Sequence, residues 1–198
     1  MRILLAAALL AGTAATPAFA QDAPINTAAT GPRVEALLGY DMPEDIDNGL
    51  LYGVGVGYDF ALGNAQAGVE AEWTDTNSDS CRRNVDIQGD RLCSGPGRDL
   101  YVGGRLGIAS FGGSALYVKG GYTNQRLRLD YNSNVTNGAG SFNIGENLDG
   151  VRVGAGVELG IPTFGLGSAA FLKGDYRYSN YEQGYEKHQA VAGVGFRF

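Results

Sequence analysis

The chain has 198 residues, among them 32 glycines, 11 tyrosines and 8 phenylalanines, and a formal net charge of −6. That balance argues against nucleic acid as a partner, which would call for a clustered basic face; the glycine and aromatic content suits a sheet-rich chain. No stretch after residue 20 approaches the roughly 18 consecutive apolar residues of a transmembrane helix, so any passage through a membrane must be made by strands.

Residues 1–20 read as a secretory signal peptide. Arg2 supplies the positive start, residues 3–11 a short apolar run, and Ala18-Phe19-Ala20 the small-x-small cleavage site. Residues 21–31 are then a short N-terminal segment, and residues 32–198 form one domain. Within that domain eight segments alternate with period 2. Residues 32–41 set Val34, Ala36, Leu38 and Tyr40 against Arg33, Glu35, Leu37 and Gly39. Residues 50–60 set Leu50, Tyr52, Val54, Val56, Tyr58 and Phe60 against Leu51, three glycines and Asp59. Residues 65–74 oppose Ala67, Val69, Ala71 and Trp73 to Gln66, Gly68, Glu70 and Glu72.

The fourth and fifth segments, residues 99–109 and 115–124, place Asp99, Tyr101 and Arg105, then Tyr117, Lys119 and Thr123, opposite apolar files. Residues 150–160 do the same with Arg152 and Glu158, and residues 170–180 with Lys173, Asp175 and Arg177. The last segment sets Ala190, Ala192, Val194, Phe196 and Phe198 against Val191, Gly193, Gly195 and Arg197. Each run is about the length a tilted strand needs to cross a bilayer. The connections alternate between short (61–64, 110–114, 161–169) and longer and more polar (42–49, 75–98, 125–149, 181–188). This pattern predicts an all-β fold, an eight-stranded antiparallel up-and-down transmembrane barrel with turns at one end and loops at the other.

The polar file makes sense only if it faces inward. A water-facing sheet of glycines and isolated charges would be an odd choice, whereas eight strands enclose a space just wide enough for side chains. The inward file carries seven acids (Glu35, Asp59, Glu70, Glu72, Asp99, Glu158, Asp175) and seven bases (Arg33, Arg105, Lys119, Arg152, Lys173, Arg177, Arg197). Equal numbers predict an ion-paired plug, because unpaired buried charge is costly, and a single-sign ring would be expected of a selective pore. Aromatics gather near strand ends, with Tyr58, Phe60, Phe196 and Phe198 toward the short turns and Tyr40, Tyr52, Trp73, Tyr122 and Tyr178 toward the long loops, as two interfacial girdles would.

Cys81 and Cys93 lie in a polar stretch of an exported chain, which predicts a disulfide stapling a loop. The acidic stretches 41–47 and 75–79 would suit divalent cations bridging to lipid phosphates, but the second lacks the Gly and closing Glu of an EF-hand loop; both read as solvated loops and no metal is expected.

Taken together, the segments Leu116-Tyr117-Val118-Lys119-Gly120-Gly121-Tyr122, residues 150–158, Lys173-Gly174-Asp175-Tyr176-Arg177-Tyr178 and the Phe198 terminus resemble the OmpA-like, opacity-type family of small eight-stranded outer-membrane barrels. The resemblance covers nearly all of residues 31–198. It implies the outer membrane of a Gram-negative bacterium, contact with outer-membrane lipid and lipopolysaccharide, and Phe196 and Phe198 as the signal read by the barrel-assembly machinery. It also implies a monomer without cofactor, and no peptidoglycan-binding domain is expected after Phe198. The expected role is structural or surface-interacting, through four extracellular loops, with an unknown surface ligand. A narrow solute channel is the alternative. A lipid-modifying enzyme is the third reading, because Ser179 and His188, the one histidine, lie near each other across the fourth loop as a nucleophile and base would. The His-Ser signature of lipid A deacylases is missing, so no catalytic residue is assigned.

Overall fold

The computed structural model describes residues 30–44, 47–85, 88–109, 114–133, 140–161 and 169–198; the expected signal peptide lies outside the described residues. Among the described residues nine strands follow in chain order: β1 (Gly31–Pro43), β2 (Gly49–Leu62), β3 (Ala65–Thr76), β4 (Ser80–Arg83), β5 (Arg91–Ala109), β6 (Ala115–Asn132), β7 (Phe142–Ile161), β8 (Ala169–Tyr181) and β9 (Glu186–Arg197). A single 3₁₀ turn, Glu182–Gly184, separates the last two.

Eight of these strands form a closed antiparallel ring. Each pairs with its neighbour in sequence, β3 pairs with β5, and β9 returns to β1 with Val34 opposite Phe196 and Tyr40 opposite Ala190. Closure pairs the backbone groups that hydrocarbon could not solvate. β4 stands outside the ring and pairs only with the outer part of β5.

Alternation sorts the side chains as the period-2 pattern requires. Val54, Val56, Val69, Val102, Leu106, Val118, Val151 and Val153 are each more than half exposed on the outer wall, while the charged file is buried. Inward glycines make room where strands and long side chains crowd. A Cβ on Gly121 would lie 2.3 Å from the Val102 carbonyl oxygen and 2.4 Å from Gly103 Cα, and one on Gly57 would lie 2.9 Å from Arg33 Nε.

Two of the long connections differ from the expected loops. β5, β6 and β7 run for 19, 18 and 20 residues, whereas the other ring strands have 12 to 14. Much of 75–98 is therefore β4 and the start of β5, and most of 125–149 belongs to β6 and β7. The reason is visible in the chain: Leu127, Leu129 and Tyr131 still alternate with Arg126, Arg128 and Asp130, and Phe142 and Ile144 with Asn143 and Gly145. The alternation persists while the outward file turns polar, as suits strands that have left the lipid. β7 pairs with β8 only from Gly150, so residues 142–149 project beyond the ring by about 25 Å of strand at roughly 3.3 Å per residue.

The cysteines staple this projection rather than a loop. Cys81 on β4 sits directly opposite Cys93 on β5, and the two are disulfide-bonded with Cα atoms 4.1 Å apart. In the chain-entropy account, a loop of this size is worth about 3 kcal/mol, or about two decades in local opening. Replacing both cysteines by serine is expected to leave the heat-dependent gel shift of the barrel unchanged. Limited proteolysis of the β4–β5 connection should accelerate about a hundredfold.

Candidate functional site

Two places in the fold concentrate chemistry: the lumen and the sheet that projects beyond it. Every one of the fourteen charged residues in the predicted inward file is buried in the lumen, none more than 7% exposed. The structure brings them together in three connected tiers.

The tier nearest the short turns joins strands β1, β2, β5, β7 and β9. Arg197 reaches Asp59 and Glu158 at 2.8 Å each, and Arg105 reaches Glu158 at 2.8 Å. Arg33 links Asp59, at 3.2 Å, to Glu35, at 3.1 Å, and to Glu70 above. Aromatic rings support the cations: Arg105 lies over Tyr117 at 4.2 Å and Arg197 over Phe171 at 5.3 Å.

In the middle tier Glu72 is the hub. It accepts from Lys119 at 2.7 Å, Arg177 at 2.8 Å and Lys173 at 3.5 Å. Lys119 also meets Glu70, Lys173 meets Glu35, and Arg177 meets Asp175, all at 2.7 Å.

The tier nearest the long connections centres on Asp99. Arg152 donates to it, as do Thr123 at 2.7 Å, Lys187 at 2.8 Å and Tyr181 at 3.0 Å. Sequence reasoning placed Lys187 in a connection and took Asp41 both as the end of the first segment and as the start of an acidic loop. Both are strand residues buried in this tier, where Lys187 Nζ stands 3.8 Å from Asp41 and Gln189 donates to Asp41 at 3.1 Å. Asp41 continues the inward parity of β1 by one step past Gly39, and Lys187 that of β9 by two steps before Val191, through Gln189, a signal the chain does contain. The lumen thus holds eight acids and eight bases. Beyond the strands that cross the membrane, the Tyr185 ring packs at a tilt against Tyr181 with centroids 5.5 Å apart, and burial pushes its phenol above the ordinary value.

Ser179 and His188 do not form a catalytic pair. Ser179 points inward and accepts from Arg152 Nε at 2.8 Å, whereas His188 lies on the exposed outer face, its Nδ1 2.7 Å from the Tyr176 hydroxyl. Strand parity puts them on opposite sides of the wall. Nor do the acidic stretches gather: among the described residues no group of three or more His, Cys, Asp or Glu could hold a metal ion.

On the projecting sheet the two faces diverge. The face that continues the lumen side carries Leu92 opposite Tyr131 opposite Phe142, then Ser94 opposite Leu129 opposite Ile144, and Leu127 opposite Glu146. Tyr131 and Phe142 stack at 5.2 Å. The other face carries Arg126, Arg128, Asp130, Asn143 and Asn147.

A ring of eight antiparallel strands with an apolar outside and a charged inside is one arrangement on which sequence comparison can be decisive. The family described as outer membrane protein beta-barrel domain matches residues 5–198. The chain belongs to that family. It is accordingly an integral β-barrel of the outer membrane. Among solved structures it is similar to Ail, the attachment invasion locus protein of Yersinia pestis, with a TM-score of 0.52 and 13% identity over 85% of this chain and 97% of that one. One Ail structure holds the heparin analogue sucrose octasulfate. It is also similar to Neisserial surface protein A, with a TM-score of 0.50 and 12% identity over 87% of this chain and 99% of that one. At such identities the likeness is one of fold. A search of curated proteins found no match.

The lumen network generates a stability prediction. Glu72→Gln leaves Lys119, Lys173 and Arg177 buried around a neutral amide. Breaking a buried pair on one side costs about 3–5 kcal/mol, so the urea midpoint of the refolded barrel should fall markedly. Glu146→Gln, on the exposed projection, should leave it unchanged.

Proposed function

We propose that the protein is a structural and surface-contact component of the outer membrane that acts without catalysis. In this reading the lumen is a closed plug and the projecting sheet is the part that meets other surfaces. One observation carries the reading: the sheet face continuing the lumen side turns from densely charged to largely apolar where it leaves the barrel, with Glu146 among its side chains. Phe142 is 45% and Ile144 54% exposed. These side chains stand outside the lipid, on a sheet held by long strand pairings and a disulfide. Exposed apolar surface held this rigidly marks an interaction site rather than a core.

Charge balance within the lumen supports the plug, since every acid there lies beside at least one base. The remaining parts of the reading concern biogenesis and company. Residues 1–20 direct export and are removed, residues 21–31 stay in the periplasm, and the Phe196 and Phe198 file of β9 is read by the assembly machinery. The barrel sits as a monomer among lipopolysaccharide. That a structural neighbour is named for attachment and invasion agrees with a contact role.

Two measurements test the proposal. Refolded protein in a planar bilayer should be electrically silent; steady, reproducible openings would replace the plug with a channel. Cells displaying F142S/I144S should attach to epithelial monolayers several-fold less than cells displaying the unaltered protein at equal surface level. Equal attachment would remove the contact role from this face.

A further inference from the structure

The outward face of the same projection carries a second feature. The even-numbered file of β6 runs along the lipid-facing wall as Leu116, Val118, Gly120 and Tyr122, and then changes to Asn124, Arg126 and Arg128. Two residues per step along one face amount to about 7 Å, so both arginines stand within three steps of the Tyr122 ring. Opposite them the β5–β6 register shifts between Pro96 and Asp99. Such a bulge re-aims a side chain, and here it lays Arg98 onto the outward face. Arg98 Nη2 lies 3.3 Å from Asn124 Oδ1 and 3.5 Å from Asn147 Oδ1.

The three guanidinium groups are seated rather than free. A Cβ on Gly145 would lie 2.9 Å from Arg126 Nη2, and one on Gly97 would lie 2.7 Å from Arg128 Nε, so these two arginines lie across glycines of the neighbouring strands, while Arg98 is held by the two asparagines. Two of the acids near this face are engaged by other donors, Asp75 pairs with Arg128 at the long end of ion-pair range, and Asp79 lies over Gly95, the residue opposite Arg128. Asp149 accepts from Tyr122 at 2.5 Å and from Asn124 at 2.6 Å, Asp130 accepts from Asn143, and Asp75 stands 3.8 Å from Arg128. A chain of net charge −6 therefore presents, at one sector just above its lipid-facing aromatics, three arginines with donors to spare.

We infer that Arg98, Arg126 and Arg128 form a binding site for the phosphate groups of an outer-leaflet glycolipid. Planar guanidinium forks match phosphate oxygens in pairs, and they do so better than lysine. The source is the membrane because the site stands on the lipid side of the wall, in line with side chains that touch acyl chains. A bilayer ligand is always present there, and its tail can lie along the Val118 and Tyr122 file below. The site uses the opposite face of the sheet from Phe142 and Ile144, so it stands even if the contact role fails.

The test uses the refolded mature barrel, its folding verified by heat-dependent gel shift, with purified lipopolysaccharide, enzymatically dephosphorylated lipopolysaccharide and inorganic phosphate as probes. The unaltered protein is expected to bind the phosphorylated form at least tenfold more tightly than the dephosphorylated one. R98Q/R126Q/R128Q should lose that difference, while R82Q/R91Q, on the same projection, should keep it. Should the triple variant fail to fold, R126Q alone is expected to narrow the difference several-fold. Equal binding of both lipids by the unaltered protein, or an undiminished difference in R98Q/R126Q/R128Q or R126Q, would overturn the site. Half-maximal displacement of the lipid by inorganic phosphate at micromolar concentration would overturn the membrane as its source.

Discussion

A peptide group in hydrocarbon has no water to bond to, and the architecture of this protein follows from that constraint. Eight strands escape it by closing, β1 against β9 and β3 against β5, so that no strand edge faces lipid within the ring. Closure at eight strands has a second consequence. The enclosed space is too narrow to stay a wide aqueous pore and is filled by side chains. Because lipid claims the apolar file of every strand, the side chains left to fill it are polar. Charges can be packed there only by pairing, and Glu72 among Lys119, Lys173 and Arg177 shows how densely the pairs are shared. Glycines such as Gly57 and Gly121 supply the space that long arginines and converging strands need.

The constraint lapses where the lipid ends, and the strands show it. β5, β6 and β7 keep their hydrogen-bonding pattern for residues beyond the ring, but the requirements on the two faces exchange. The outward file, which had to be apolar against acyl chains, becomes Asn124, Arg126 and Arg128. The inward file, which had to be polar inside the plug, becomes Leu127, Leu129 and Tyr131. An open sheet is permissible in water, and β4 with the Cys81–Cys93 bond secures one side of it. The projection is therefore a continuation of the barrel wall with its polarity reversed, which gives it two chemically distinct surfaces on one rigid support.

The fold and the lumen were legible in the chain because a strand exposes its sides in strict alternation, and a barrel in lipid makes each side uniform in kind. That is why all fourteen charges of the inward file could be named from parity alone. Parity failed at the margins for identifiable reasons. Asp41 directly follows Tyr40, and Lys187 lies two inward steps before Val191 with His188 and Gln189 between, where an acidic or basic residue looks like a loop residue. The outer halves of β6 and β7 retain the alternation, but Arg126, Arg128 and Asp130 occupy the file that apolar residues hold lower down, so the run reads as polar connection. Arg98 could not be placed at all, since a bulge changes the face of a residue without any mark in composition.

By itself, then, the amino-acid sequence determined the number of strands in the ring, the inside and outside of the wall, and the balance of charge within it, because those depend on local periodicity and on the demands of solvent. The tertiary structure decided which charges share a partner, that Ser179 and His188 face opposite sides of the wall, that the cysteines join paired strands, and that three arginines from β5 and β6 lie together. Those outcomes depend on the stagger between strands. Stagger is set by closure of the whole ring, and no single segment carries it.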